Sequence, residues 1–143
     1  MTGVPIIIPE NYVQDLGVRL GLYKRIGNLK NAEEISDMKE ELIDRFGNVP
    51  NEVLNLLKTV EIKQIAKLSN IEKIEAGAKG ILISFYNNKF KNVGKLMDFI
   101  SKQCGAVKVR PDQKLFIDRD LSNHNVRLEV IKKYVLKLQE LSI

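Results

Sequence analysis

The spacing of apolar residues changes near residue 70, and that change rules out any uniform architecture. Before it, apolar side chains recur at helical intervals. After it, short runs rich in Ile and aromatics, separated by glycine, alternate with two further helical patterns. A chain that switches period in this way must build both helices and strands.

Three segments of the first part predict helices. Over 11–26, Tyr12, Leu16, Leu20 and Tyr23 form the expected stripe, and Gly27-Asn28 ends it. Over 31–46 the signals agree best. Asn31 is suited to cap, Glu34 follows three residues later, and Ile35, Met38, Leu42 and Phe46 share a face ahead of Gly47. Over 50–68 apolar residues cover most of the circumference, which predicts a helix packed on several sides. Ahead of all three, Pro5 and Pro9 bracket Ile6-Ile7-Ile8. Proline cannot donate to a ladder, so 1–10 reads as an extended arm.

In the second part, 71–76 and 80–86 predict one hairpin, and 106–110 and 114–118 another around Pro111-Asp112. Between them, 92–103 predicts a helix with Val93, Leu96, Met97 and Ile100 as its stripe. A last helix begins at Ser122 or Asn123, with Leu128, Ile131, Val135 and Leu138 facing inward. The order ααα, ββ, α, ββ, α is that of an α+β fold. It predicts an N-terminal helical layer packed with a small antiparallel sheet of two hairpins, plus two further helices. With 143 residues, 11–143 is expected to form a single domain.

Composition narrows the chemistry. A single Cys (Cys104) and a single His (His124) exclude an intrachain disulfide and a Cys/His zinc site. No metal site is expected. No apolar run reaches the roughly 20 residues of a membrane span, and the start lacks a secretory pattern, so a cytoplasmic protein without membrane contact is expected. The net charge is +5, with −2 over residues 1–60 and +7 over 61–143. A basic second part raises a nonspecific nucleic-acid-binding module as one reading. The lysines, however, are spaced along helix and strand faces rather than gathered in a stripe, as ordinary solvated faces would be.

No phosphate loop, dinucleotide fingerprint or nucleophile elbow occurs. His124 lies between two asparagines in a polar turn, and Cys104 follows a helix C-terminus whose dipole disfavours a thiolate. No catalytic residue is assigned. The notable cluster is Glu40, Glu41 and Asp44 on the second helix, beside Lys39 and Arg45. Three functions compete for it: a solvated face, a carboxylate site for acid–base work, and a docking surface offering both charge signs and a planar guanidinium.

The runs Arg19-Leu20-Gly21-Leu22-Tyr23-Lys24-Arg25 and Glu41-Leu42-Ile43-Asp44-Arg45-Phe46-Gly47-Asn48-Val49-Pro50, in this order and spacing, resemble the C-terminal (TRCF) domain of bacterial transcription-repair coupling factors. Weaker likeness continues through Lys67-Leu68-Ser69-Asn70-Ile71 and Asp120-Leu121-Ser122, so the resemblance covers nearly the whole chain. It implies an excised domain. It also implies a parent that is an ATP-dependent superfamily 2 DNA translocase, using ATP and Mg, which binds double-stranded DNA, displaces stalled RNA polymerase and recruits UvrA in nucleotide excision repair. The domain itself then needs no cofactor and is not an enzyme. In the family it docks on the N-terminal UvrB-like module of the same protein and masks the UvrA-binding surface. Matching motif to motif, the resemblance assigns the clamp contact to Glu41, Asp44 and Arg45, and all three residue types are kept here.

Overall fold

The computed structural model describes residues 2–143 and has the element order that the sequence predicts. Helices α1 (Leu16–Gly27), α2 (Ala32–Phe46) and α3 (Asn51–Lys67) come first. Strands β1 (Ile71–Gly77) and β2 (Gly80–Phe85), helix α4 (Val93–Ser101), strands β3 (Val107–Val109) and β4 (Leu115–Asp118), and helix α5 (His124–Leu141) follow. A single 3-10 turn at Tyr86–Asn88, not foreseen from the sequence, lies between β2 and α4. The fold is α+β. The chain divides into two compact units. One comprises Pro5–Gln64; the other comprises the residues up to Val4 together with Ile65–Ile143.

The Pro5–Gln64 unit is helical. Its core gathers Ile8 from the arm, Val13 from the turn that follows it, Leu22 and Ile26 from α1, Met38 and Leu42 from α2, and Val53 and Leu57 from α3. Helix α2 is fixed at both ends. The Asn31 side chain accepts from the Glu34 amide at 2.8 Å, and the Glu34 carboxylate accepts from the Lys30 amide at 2.9 Å. At the other end Gly47 has φ +88°, a left-handed conformation that glycine adopts freely, and its amide closes on Ile43 O at 2.9 Å.

Helix α1 departs from expectation in its start and in its buried face. It begins at Leu16, because the Asp15 side chain caps the Val18 amide at 2.9 Å. Tyr12 therefore precedes the helix. The inward residues are Leu22 and Ile26, with Val18 partly buried, whereas Leu16 and Leu20 are 60% and 59% exposed. Of the expected stripe, Tyr12 and Tyr23 do pack against the core, but its two leucines face outward, and Val18, Leu22 and Ile26 supply the inner face in their place.

The second unit holds one four-stranded antiparallel sheet in the order β1-β2-β4-β3. The two predicted hairpins thus join through β2 and β4. Their approach requires glycine at position 80, where a Cβ would lie 2.1 Å from Ile117 O. The β3–β4 turn is closed by Gln113 N donating to Arg110 O at 2.9 Å, with Pro111 at the second position as its fixed φ favours. Ile81, Ile83 and Phe85 of β2 and Leu115 and Ile117 of β4 are buried, as are Leu128, Ile131, Val135 and Leu138 of α5. In α4 only Leu96 is buried; Val93 and Met97, expected inside, are half exposed.

Candidate functional site

Most of the charged cluster singled out in the sequence lies at the C-terminal end of α2. Glu40, Asp44 and Arg45 are exposed, and Glu41 is half-buried. What the sequence reading did not provide is Arg25 from α1. Its guanidinium meets Glu41 fork to fork, Nη1 donating to Oε2 at 2.7 Å and Nη2 to Oε1 at 2.6 Å. Arg45, one turn beyond Glu41, donates from Nη1 to the same Oε2 at 3.0 Å. One carboxylate therefore joins two guanidiniums, and the hydrogen bond from Arg25 is the main reason that its pKa falls to about 2. The side chains of Arg25, Glu41 and Arg45 remain 49%, 33% and 46% exposed, so the group stands at the surface within reach of a partner.

The frame beneath this group is built from aromatics. The Tyr12 hydroxyl lies within hydrogen-bond distance of Leu42 O (3.1 Å) and Gly47 O (2.9 Å), carbonyls at the helix end. The Tyr12 ring packs against Phe46 at a centroid distance of 5.7 Å, and the Arg45 guanidinium lies 4.9 Å over the Phe46 ring. On the arm side, the Ile8 amide donates to the Tyr23 hydroxyl at 2.6 Å. The arm, α1 and the end of α2 thus form one braced corner, with charged groups outward and rings inward.

This geometry is poorly suited to acid–base work. A carboxyl held near 2 is a weak base at neutral pH and carries no proton to give. Among the described residues no cluster of three or more His, Cys, Asp or Glu side chains has a geometry that would hold a metal ion. Cys104 and His124 are both exposed and far apart in sequence from the corner. No helix among the described residues is long and apolar enough to cross a membrane.

Several cations of the second unit are paired locally. Lys73, Lys102, Arg110 and Lys137 each pair with a carboxylate close by in sequence, on Glu75, Asp98, Asp112 and Glu140. An open groove of about 650 Å³ between α4 and α5 is lined by Lys132, Lys133 and Lys137, but also by Glu129 and Glu140. A phosphate backbone favours cations without interleaved carboxylates.

The family model of the TRCF domain matches residues 2–96, two thirds of the chain, including the whole braced corner. The chain belongs to the TRCF domain family. It is 41% identical over 127 residues to a transcription-repair-coupling factor of Rickettsia conorii, covering 89% of this chain and 11% of that protein. It is 31% identical over 140 residues to that of Escherichia coli K12, covering 98% of this chain and 12% of that protein. This TRCF domain therefore spans about a ninth of the length of the curated relatives it matches. Among solved structures, a crystal structure of the C-terminal domain of a transcription-repair coupling factor superposes with a TM-score of 0.72 at 21% identity, covering 98% of this chain and 92% of that one. That likeness establishes the shared fold.

Proposed function

We propose that this TRCF domain is a regulatory docking module. It lies on the N-terminal UvrB-like module of its parent and covers the surface that recruits UvrA. The parent, on this reading, is an ATP-dependent DNA translocase that displaces stalled RNA polymerase during nucleotide excision repair. ATP and Mg serve its motor, and this domain works by contact alone. The observation that carries the reading is the braced, solvent-facing charged corner around Glu41, Asp44 and Arg45, within the region that the family model covers.

The physics of such a clamp fits this corner. Both faces of an intramolecular clamp must survive in water after release, so the contact is polar rather than apolar. Charged groups then set register more than net affinity. Tethering raises the effective concentration of the partner surface, so a weak contact keeps the UvrA surface covered. Opening needs only that polymerase, DNA or nucleotide bind the open state better than the closed one.

The test is a binding titration of the 143-residue chain against the separately expressed N-terminal module of its parent. Saturable binding, lost on combined charge reversal at Glu41, Asp44 and Arg45, is expected. Binding unaffected by the reversal contradicts the assignment of this corner.

A further inference from the structure

We infer that Arg25 is an internal competitor for the docking carboxylate: by holding Glu41 fork to fork in the released domain, it weakens the clamp and sets how readily it opens. The inference rests on the docking reading above and adds a regulatory residue to it.

From position 40 to 45 helix α2 carries Glu40, Glu41 and Asp44 against Arg45 alone, so a surface complementary to it is cationic. Asp44 is exposed, and among the described residues no guanidinium fork holds it. Glu41 is held. A carboxylate offers roughly four acceptor positions, and three donors already point at the two oxygens of Glu41. One position stays open to a single donor, but a guanidinium fork arriving from a partner and taking both oxygens must displace one of the three, against the repulsion of two guanidiniums.

Arg25 and Arg45 differ in what they do besides. Arg45 also stacks on Phe46 and sits on α2 itself, within the docking motif. Arg25 comes from another helix and takes both oxygens, so it is the donor that an incoming fork displaces. In the open state the same fork keeps Glu41 paired, so release leaves no uncompensated carboxylate. Removal of the Arg25 charge acts in one direction on both counts. The closed state loses a competitor, and the open state loses its substitute partner.

The test uses the full-length parent and its affinity for UvrA. An exposed ion pair corresponds to about a two- to five-fold change in an equilibrium constant. Arg25→Gln is expected to weaken UvrA binding by that factor, because a tighter clamp covers the surface more of the time. In the same parent Asp44→Arg, which removes a docking charge without touching the fork, is expected to strengthen UvrA binding. Stronger UvrA binding with Asp44→Arg but unchanged or stronger binding with Arg25→Gln overturns the competitor role and leaves the docking reading standing. No response to Asp44→Arg overturns the docking reading itself. Circular dichroism of the 143-residue chain carrying each substitution is expected to match the unsubstituted chain, since both positions are exposed.

Discussion

Arg25 and Glu41, sixteen residues apart in the chain, meet through two parallel hydrogen bonds of 2.7 and 2.6 Å. The pair ties α1 to α2 at the surface and gives the charged corner its fixed geometry. A second guanidinium, that of Arg45, shares the same carboxylate.

This arrangement sets a pH dependence. Hydrogen bonds from Arg25 and then Arg45 hold the Glu41 carboxyl at about 2, below its unfolded value of 4.5. For a depressed carboxyl, the stabilisation is fully present above the unfolded pKa and is lost as pH falls through the folded one. The Arg25–Glu41 pair is therefore expected to stay ionised at pH 4 and to titrate near 2, while its contribution to stability declines from pH 4.5 down to about 2. Carboxyl carbon shifts followed by NMR are expected to place the Glu41 midpoint well below those of exposed glutamates. Arg25→Gln is expected to raise it, since it removes the largest cause of the shift.

Tyr12→Phe isolates the brace. The substitution keeps the ring against Phe46 and deletes the hydroxyl that serves Leu42 O and Gly47 O. A loss of about 1 kcal/mol in urea unfolding is expected. Amide exchange is expected to accelerate at the end of α2 before it does so elsewhere in the Pro5–Gln64 unit.

In the other unit, Arg127 is 4% exposed and bonds only to backbone carbonyls in its hydrogen-bond set: Nε and Nη2 to Leu121 O at 3.1 and 2.8 Å, Nη1 to Thr2 O at 2.7 Å. Arg127→Met fills much of the same volume and leaves those carbonyls without their donors. Destabilisation of about 1–3 kcal/mol is expected by chemical denaturation, with faster exchange at residues 2–4.

Leu22 and Leu20 of α1 make a matched pair. Leu22→Ala opens the core and is expected to cost about 2–5 kcal/mol. Leu20→Ala, at a position 59% exposed, is expected to change stability by no more than about 0.5 kcal/mol. Equal losses at the two positions would contradict the orientation of this helix.

The contrast between α1 and α2 shows what was legible in the sequence. In α2 the cap, the apolar stripe, the acidic first turn and the terminal glycine all indicate one helix with one inner face, and the structure matches it. Helix α1 carries apolar residues on two faces, and periodicity cannot rank them. Burial depends on what packs alongside, which is tertiary information. The same holds for Val93 and Met97, which lie at core spacing and are half exposed. For the site, the motif on α2 was readable because its residues are three and four apart. Arg25 was not, because only the packing of α1 on α2 brings it to Glu41. Arg127 was hidden for a similar reason: nothing local marks an arginine whose partners are carbonyls six and 125 residues away.

The central claim is that the charged corner at the end of α2 covers the UvrA-binding surface of the parent protein. Its most direct test is the affinity of the full-length parent for UvrA when Glu41→Arg, Asp44→Arg and Arg45→Glu are combined. The account predicts a clear rise in affinity, with the domain still folded. An affinity equal to that of the unsubstituted parent would contradict it.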